Sequence, residues 1–491
     1  MSDGQTARDG RKASLDPKDW AAFRTRAHAM LDEALNHAEG VNEGPVWTPM
    51  PDDVKAELAE PVPMTAQGTD KVCEDLLSQV LPYTTGNTHP RFLGWVHGAG
   101  APGGIIADTM AAAMNSNLGG RDHGAIYVER QVIDWVKKLF DFPHTSSGLV
   151  VSGTSMATII ALTAARYAKA GYDVRRQGVR PEKGRLVGYT SAEAHSCIAR
   201  TFDMLGLGLD GLRSIPVDDG YRMDIEALRQ AITDDIAAGH RPFCVVGSPA
   251  TVNTGAIDDM EAISRIAQEF DLWFHVDGAF GAVAALNEGL KHKFKGIERA
   301  DSIAFDFHKW MHVKYDASFV LIRREDIHRE AFTLRREYLT AAPRGLAAGN
   351  PWFCEYGPEL SRGFRALKVW FHLKEHGIKA ITDKVADNCD QALYLGELVK
   401  ARPELELSTP VTLNICCFRY VAPDMTDTAL NRINEEIVMD LQESGIAAPS
   451  TTKLQGKLAI RVNITNHRTT KADRDVLVDE VLKLGNGMTA D

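Results

Sequence analysis

The sequence predicts an α/β protein whose centre is a mostly parallel sheet covered by helices on both faces. Strand-like and helix-like patterns alternate from about residue 90 to residue 325. After about residue 376 the order changes to that of a small α+β domain. We therefore predict three regions: an N-terminal helical segment at 1–88, a large domain at 89–375 and a small C-terminal α+β domain at 376–491.

The N-terminal segment carries the signals of two helices. Asp16 and Pro17 fit an N-cap followed by proline at the first helical position. Apolar residues then recur at helical spacing until Gly40, and a second short helix is predicted at 69–81. Two helices cannot build a core alone, so we expect the segment 1–88 to wrap around a dimer partner or the main body.

The central region alternates short apolar runs with amphipathic ones, and ligands of such sheets bind at the carboxyl ends of the strands. The predicted strands are 149–151, 186–189, 243–246, 272–276, 302–305 and 318–322, with helices at 155–170, near 194–205 and from Asp258 onward. In the C-terminal domain the predicted strands are 405–408, 412–420 and 458–464, and the predicted helices are 427–444 and 471–484.

Composition excludes several classes of function. The 491 residues are 44% apolar and 25% charged, which is ordinary for a globular protein. A net charge of −11 argues against a nucleic-acid partner, and no run of 18 apolar residues suggests a membrane span. No apolar stretch follows the N-terminal charges, so no secretory signal is expected. The seven cysteines show no CxxC spacing, which favours reduced thiols and a cytoplasmic location.

An acid and an amine end two strand-like runs. Asp277 closes Leu-Trp-Phe-His-Val-Asp, and Lys309 lies in Asp-Phe-His-Lys-Trp, 309 − 277 = 32 positions later. A lysine can hold an aldehyde cofactor as a Schiff base and an aspartate can keep a pyridine nitrogen protonated, which is the pairing that pyridoxal 5'-phosphate (PLP) requires. Either residue alone also fits a salt bridge or an unrelated surface position. The His-Lys-Trp context and the upstream motifs favour the cofactor.

Three further polar positions follow strands. The run 150–158 passes from a strand through small residues into a helix, so its amides and the hydroxyls of Thr154 and Ser155 can bind a phosphate, although an ordinary N-cap looks the same. His195, in Ala-Glu-Ala-His-Ser, can stack on a flat ring or simply cap a helix. His308, beside Lys309, can bond the phosphate or a substrate.

Two motif matches are rejected. The GxGxxG match at 206–211 follows a predicted helix and precedes a strand, the reverse of the order that dinucleotide binding needs. HxxxH spacings occur at His308/His312 and at His372/His376, but there is no HExxH and no evident third ligand. We predict no metal site.

Six segments occur in a familiar order: SGTSMAT, AEAHS, TVNTGAIDD, FHVDGAFG, DFHKW and SRGFRALKVWF. As a set they resemble the group II PLP-dependent decarboxylases, the branch that contains aromatic-L-amino-acid and histidine decarboxylases. The resemblance runs from about residue 75 to the end. It implies the fold type I, aminotransferase-like fold and a homodimer with active sites at the subunit interface. The implied reaction is decarboxylation of an L-amino acid, with an aromatic one favoured, to an amine and CO2.

The resemblance also implies roles for residues around the cofactor ring. Lys309 would form the Schiff base, and Asp277 would bind the pyridine nitrogen. Ala279 and His195 would lie on opposite faces of the ring, and Thr251 near its substituents. Removal of the Asp277 carboxylate is expected to damage turnover far more than cofactor binding.

The resemblance also implies which residues bind the cofactor phosphate and which line the substrate pocket. Thr154, Ser155 and His308 would hold the phosphate. Trp95 and His97, in Phe-Leu-Gly-Trp-Val-His-Gly, fall where family members line the substrate pocket.

The proton that returns to the substrate Cα is a task for a loop tyrosine in this family. Tyr338 falls at the matching place, with Tyr356 as a second candidate, and a phenol can donate a proton. Plant relatives without this tyrosine release aldehyde, ammonia and peroxide after meeting O2. The presence of Tyr338 therefore favours the amine over oxidative deamination to an aldehyde.

Two departures from the family pattern and two competing hypotheses accompany the resemblance. Met156 replaces a frequent glutamate in the phosphate turn, and Asp306 replaces the asparagine of animal members, where a carboxylate would repel phosphate unless protonated or turned away. An aminotransferase or lyase of the same fold and an inactive binding protein are the competing hypotheses. The polar stretch 115–124 fits a polar substrate and a solvated interface loop equally well.

Overall fold

The computed structural model describes residues 14–334 and 342–490, and a seven-stranded sheet lies at its centre. The strands of the described chain are β1 (Phe92–Leu93), β2 (Ser147–Val151), β3 (Leu186–Ser191), β4 (Leu212–Ile215), β5 (Arg241–Gly247), β6 (Trp273–Asp277), β7 (Ser302–Asp306), β8 (Ser318–Ile322), β9 (Leu405–Leu407), β10 (Ile415–Tyr420), β11 (Ala448–Leu454) and β12 (Lys457–Asn463).

The central sheet has the order β2-β8-β7-β6-β5-β3-β4. Only β8 runs antiparallel to its neighbours, and the other adjacent pairs are parallel. Strands such as β2 and β7 are buried along their whole length, as expected for a sheet that helices cover on both faces. The predicted mostly parallel α/β fold is confirmed.

Helices surround this sheet, and α5, α6, α9 and α10 pack directly on its strands. The helices of the described chain are α1 (Trp20–Glu39), α2 (Asp52–Glu57), α3 (Thr69–Asp75), α4 (Gly103–Met114), α5 (Gly124–Leu139), α6 (Thr154–Lys169), α7 (Val174–Gln177), α8 (Cys197–Met204), α9 (Ile225–Ala237), α10 (Met260–Glu269), α11 (Glu325–Phe332), α12 (Arg365–Lys400), α13 (Asp427–Glu443) and α14 (Lys471–Thr489). The segment 206–211 lies between α8 and β4 as a helix stop and short turn, as predicted.

The C-terminal part forms a second sheet in the order β1-β11-β12-β10-β9. Strand β11 was not predicted, because its Ala-Pro-Ser-Thr-Thr-Lys-Leu sequence lacks an apolar run. It forms a hairpin with β12 across Gln455 and Gly456, whose φ values of 50° and 82° suit a tight turn. Its other neighbour is β1, from far earlier in the chain. A local sequence pattern does not indicate strand pairing between segments so far apart in the chain.

The structure divides into two compact units, one that comprises residues up to 44 with 48–84 and one that comprises 45–47 with residues from 85 onward. Helices α1 and α3 belong to the first unit, where Arg26 pairs with Asp70. The predicted N-cap at Asp16 is wrong: Asp19 caps α1, because its carboxylate accepts the amides of Ala21 and Ala22.

The boundary that we predicted at 375/376 falls inside α12, next to Gly377, where the backbone leaves helical geometry with φ 73° and ψ 151°. The division into three domains stays a prediction. None of the described helices has the length and apolar character needed to cross a bilayer. All seven cysteines lie in the described residues and are unpaired.

Candidate active site

The carboxyl ends of the parallel strands meet at one edge of the central sheet, and a cavity of about 410 Å³ opens there. Eight of the residues singled out in the sequence line it: Trp95, His97, His195, Thr251, Asp277, Ala279, His308 and Lys309. Strands β3, β5, β6 and β7 end just before or at four of these positions. Tertiary structure therefore brings together residues that lie up to 309 − 95 = 214 positions apart.

The Lys309 amine faces the cavity and is paired with a carboxylate. Its Nζ lies 2.7 Å from Oδ2 of Asp306, the last residue of β7. Burial is the largest single influence on the pKa of Lys309 and acts to lower it, but the charge and hydrogen bond of Asp306 together with the charge of Asp277 raise this pKa overall. Burial acts to raise the pKa of Asp306, but the charge of Lys309 and the hydrogen bonds from Lys309 and Ser318 lower it overall.

Asp277 ends β6 and is 5% exposed. One carboxylate oxygen, Oδ2, accepts a hydrogen bond from the Cys197 thiol at 3.6 Å. The other, Oδ1, is buried and has no partner in the part of the chain that the structure describes. Burial raises the pKa of Asp277, and the nearby charges of His195 and Lys309 oppose that rise. A buried acceptor without a donor is costly, so this oxygen fits a ligand that brings a positively charged N–H.

His195 follows β3 at the cavity wall. The amide of Cys197 donates to its Nδ1 at 3.2 Å, so in the neutral ring the proton is on Nε2. The backbone thus fixes both the orientation and the tautomer of the imidazole. A flat ring held in this way can stack on a planar cofactor.

The turn from β2 into α6 provides anion-binding groups beside the cavity. Thr154 is the first residue of α6, and its buried Oγ1 has no hydrogen-bond partner among residues 14–334 and 342–490. Its amide donates to Oδ1 of Asp306 at 2.8 Å. Ser155 is exposed, and neither residue lines the cavity itself. Met156 packs against the main hydrophobic core instead of contributing a polar contact.

His308 and Tyr315 form one wall of the cavity. Backbone atoms of Ala317 hold the His308 ring, with Nδ1 3.0 Å from the carbonyl oxygen. The rings of His308 and Tyr315 lie 4.3 Å apart between centroids. Lys368 fixes the base of this wall, because its Nζ donates to the Tyr315 carbonyl oxygen at 2.8 Å. Tyr315 was not singled out in the sequence, and no local signal marked it.

Thr251 and Ala279 occupy the loops after β5 and β6. Thr251 is 1% exposed, and its hydroxyl lies 3.1 Å from that of Thr254. The Ala279 carbonyl oxygen accepts the Asp306 amide at 2.9 Å. This bond ties the loop after Asp277 to the end of β7.

Trp95 and His97 form an aromatic wall. The two rings stack with centroids 5.9 Å apart, and His97 also stacks on Phe92 at 5.5 Å. Trp95 is 52% exposed and lines the cavity. Burial and the charge of Lys309 both lower the pKa of His97, so its ring is neutral and suited to contact a flat side chain.

A buried arginine from the second sheet completes the cavity. Arg461 lies on β12, is 3% exposed and donates to the backbone oxygens of Val252, Asn253 and Trp95 at 2.9 to 3.2 Å. Burial lowers its pKa to about 10, so it stays charged. Its Nη2 is buried without a partner within the described chain. Sequence reasoning missed it, although an arginine in the apolar run Leu-Ala-Ile-Arg-Val-Asn-Ile is a recognisable signal.

Other predicted residues lie elsewhere. Tyr338 falls outside the described residues. Tyr356 does not line this cavity in the described chain: it is buried beside His328 and its hydroxyl is bonded to Glu325, and its role as the second candidate stays a prediction. In the stretch 115–124, no residue lines the cavity of the described chain. Within residues 14–334 and 342–490, no group of three histidine, cysteine or acidic side chains is arranged to hold a metal ion.

The chain resembles known proteins over nearly its whole length. The family described as "Pyridoxal-dependent decarboxylase conserved domain" matches residues 51–421. An aromatic-L-amino-acid decarboxylase of Bacillus atrophaeus is 33% identical over 91% of this chain and 92% of its own. A histidine decarboxylase of Drosophila melanogaster is 30% identical over 93% of this chain and 54% of its own. The crystal structure of Oryza sativa TDC with PLP and tryptamine superposes with a TM-score of 0.88 at 24% identity, and covers 97% of this chain and 100% of its own.

Proposed function

The chain belongs to the pyridoxal-dependent decarboxylase family, and from that premise we propose that it decarboxylates an aromatic L-amino acid to the amine and CO2. It is a PLP-dependent amino acid decarboxylase, that is, a carboxy-lyase with the fold of the type I PLP enzymes. We propose in addition a substrate class, roles for individual residues, a homodimer and a cytoplasmic location.

One observation carries the assignment of the site. The unpartnered Oδ1 of Asp277 and the Nζ of Lys309 line the same cavity within the described chain. A carboxylate that needs an N–H donor and an amine that can form an imine are the two groups that a pyridine aldehyde uses. The unpartnered hydroxyl of Thr154 at the start of α6 suits the phosphate end.

We assign the following work to these residues. When bound, PLP supplies an electron-poor ring that takes up the electron pair left at the substrate Cα as CO2 departs. Asp277 keeps the ring nitrogen protonated by opposite charge. His195 would stack on one face of the ring, Ala279 would lie against the other face, and Thr251 would lie near the ring substituents. Lys309 would hold the cofactor covalently through its amine.

The phosphate would be held by Thr154, Ser155 and His308. The amide of Thr154 is already used by Asp306, so its hydroxyl is the group that remains free for a ligand in the described structure. The lowered pKa of His308, caused by burial, keeps its ring neutral, and it can donate one hydrogen bond without adding a charge.

Two features support an aromatic amino acid as the substrate. The wall of Trp95 and His97 offers a flat apolar surface for a ring. The free Nη2 of Arg461 offers a charge-assisted hydrogen bond, which we assign to the substrate carboxylate. For Tyr338 we propose the return of a proton to Cα, on sequence grounds alone.

A homodimer is supported by an apolar stripe on α4. Ile106, Met110 and Met114 recur at four-residue spacing on one face of the helix, and each is 46 to 53% exposed. A stripe of this kind is typical of a surface that another chain covers. The unpaired cysteines support a reducing, cytoplasmic location.

The proposal is tested with the purified holoenzyme and a panel of the common amino acids plus DOPA. CO2 release and amine formation are measured for each, with Lys309→Ala as the inactive control. We expect aromatic amino acids to have the highest kcat/KM. Preferential turnover of an aliphatic or acidic amino acid would contradict the proposed substrate class, while leaving the cofactor chemistry intact.

A further inference from the structure

Asp306 is a fully buried carboxylate whose oxygens are both engaged. It is 1% exposed and lies three residues before Lys309. Its Oδ2 contacts the Lys309 Nζ at 2.7 Å. Its Oδ1 accepts the amide of Thr154 at 2.8 Å and the hydroxyl of Ser318. Such a carboxylate has no freedom to turn away from Lys309.

The surroundings of Asp306 keep it charged. Thr154 begins α6, so the carboxylate lies at the positive end of a helix of 16 residues. Ser318, on the neighbouring strand β8, anchors the same oxygen from the other side. The sequence raised the concern that a carboxylate here would repel the cofactor phosphate. The helix end and Lys309 offset part of this negative charge.

The groups that face Lys309 differ in whether they carry a negative charge that can stabilise its protonated nitrogen. Asp306 is the carboxylate in direct contact, and Asp277 acts through space. His97 and His308 are held neutral by burial, which lowers the pKa of each. The pKa of the Tyr315 phenol is raised by burial, so it also carries no charge at neutral pH. Asp306 is therefore the dominant counter-ion of the Lys309 nitrogen.

We propose that Asp306 is a positioning residue that fixes the Lys309 nitrogen and sets its proton affinity, both as the free amine and when it is linked to the cofactor. Hydrogen bonds from the Thr154 amide and the Ser318 hydroxyl hold the Asp306 carboxylate in place, and the carboxylate in turn holds the Lys309 nitrogen. An asparagine at this position keeps the shape and the two accepted hydrogen bonds but loses the charge. Charge and geometry can thus be separated by one substitution.

The test is a pH titration of the visible absorbance of the holoenzyme, which reports the protonation of the linked Lys309 nitrogen and does not require a substrate. Wild type is compared with Asp306→Asn, with Ser318→Ala and with Asp235→Asn. Asp235 is the matched control, a buried aspartate paired with Arg213 outside the cavity. Borohydride reduction and peptide mapping confirm that Lys309 carries the cofactor in each protein.

We expect the titration midpoint to fall by about one pH unit or more in Asp306→Asn, which is a tenfold loss of proton affinity. Ser318→Ala should shift it in the same direction by less, and Asp235→Asn should leave it unchanged. If Asp306→Asn does not fold, the shift of the titration midpoint in Ser318→Ala tests the proposal instead. An unchanged midpoint in the Asp306 and Ser318 variants, or an equal shift in the Asp235 control, overturns the proposal. The choice of substrate does not affect either result.

Discussion

The thiol of Cys197 donates a hydrogen bond to Oδ2 of Asp277 at 3.6 Å and leaves Oδ1 of the same carboxylate without a partner among the described residues. The two residues lie 277 − 197 = 80 positions apart: Cys197 begins α8 and Asp277 ends β6. The thiol orients the acid, and the unpartnered oxygen marks where a ligand N–H belongs. This arrangement supports the proposal that Asp277 binds a protonated ring nitrogen.

Asp277→Asn should lower kcat by roughly 10²-fold while the cofactor stays linked to Lys309, because the amide cannot hold a proton on the ring nitrogen by charge. Turnover and cofactor absorbance are measured on the same preparation. Cys197→Ser, which keeps a donor to Oδ2, should retain most of the activity. Parallel losses of cofactor and kcat in Asp277→Asn would count against this role.

Arg461→Gln should raise KM for the amino acid about tenfold or more, because a charge-assisted hydrogen bond to the carboxylate is lost. The product amine lacks that carboxylate, so its inhibition constant should change by no more than about twofold. Arg461→Lys, which keeps the charge without the planar fork, should be intermediate. Equal weakening of substrate and amine would assign Arg461 a purely structural role.

Tyr338→Phe should leave CO2 release measurable but shift the product from amine toward aldehyde, because phenylalanine has no proton to donate to Cα. Amine, peroxide and O2 uptake are followed together, with wild type as the reference. Peroxide in stoichiometry with CO2 in the wild type would instead make the enzyme an aldehyde synthase. Amine production that is unaffected by the substitution would assign proton return to another residue.

Asp306→Asn should destabilise the cofactor-free protein by about 3 kcal/mol at pH 7, the typical cost of removing half of a buried ion pair. The pKa of Asp306 is lowered from 3.8, so its contribution is present above that value and is lost as pH falls through the folded pKa. The pKa of Lys309 is raised from 10.5, so its contribution is present below that value and is lost as pH rises through the folded pKa.

The difference in the free energy of unfolding between wild type and Asp306→Asn should therefore stay constant between about pH 5 and pH 9. Chemical denaturation of the two proteins across this range provides the measurement. A difference that disappears inside this window would show that the pair is not ionised in the folded state.

Met110→Lys should weaken self-association, since it places a charge in the centre of the apolar stripe on α4. Sedimentation velocity at several protein concentrations measures the effect. Met439→Lys, on α13, is the control, because Met439 is 40% exposed but lies outside that stripe. A monomeric wild type would refute the proposed dimer directly.

Several parts of the fold were accessible from local pattern alone. The runs that became β6 and β7 are apolar and end in Asp277 and near Lys309, so their placement at the carboxyl edge followed from strand direction. The start of α1 was misplaced, because Asp16 and Asp19 both fit a cap and only the hydrogen bonds distinguish them. Strand β11 was not predicted, because it lacks an apolar run. It is stabilised by pairing with β12 in a hairpin and with the distant strand β1.

The sequence by itself determined which chemical groups stand at the strand ends: Lys309, Asp277, His195 and the turn at Thr154. The cofactor followed from the pairing of the lysine with the aspartate, together with the resemblance of six ordered motifs to the PLP-dependent decarboxylases. Only the tertiary structure decided which partners those groups have. Arg461 reaches the cavity from the second sheet, and Asp306 becomes the counter-ion of Lys309 only where β7, β8 and α6 meet. The physical reason is that periodicity encodes which face of an element is buried, whereas electrostatic pairing depends on atoms brought within a few ångströms by the packing of distant segments.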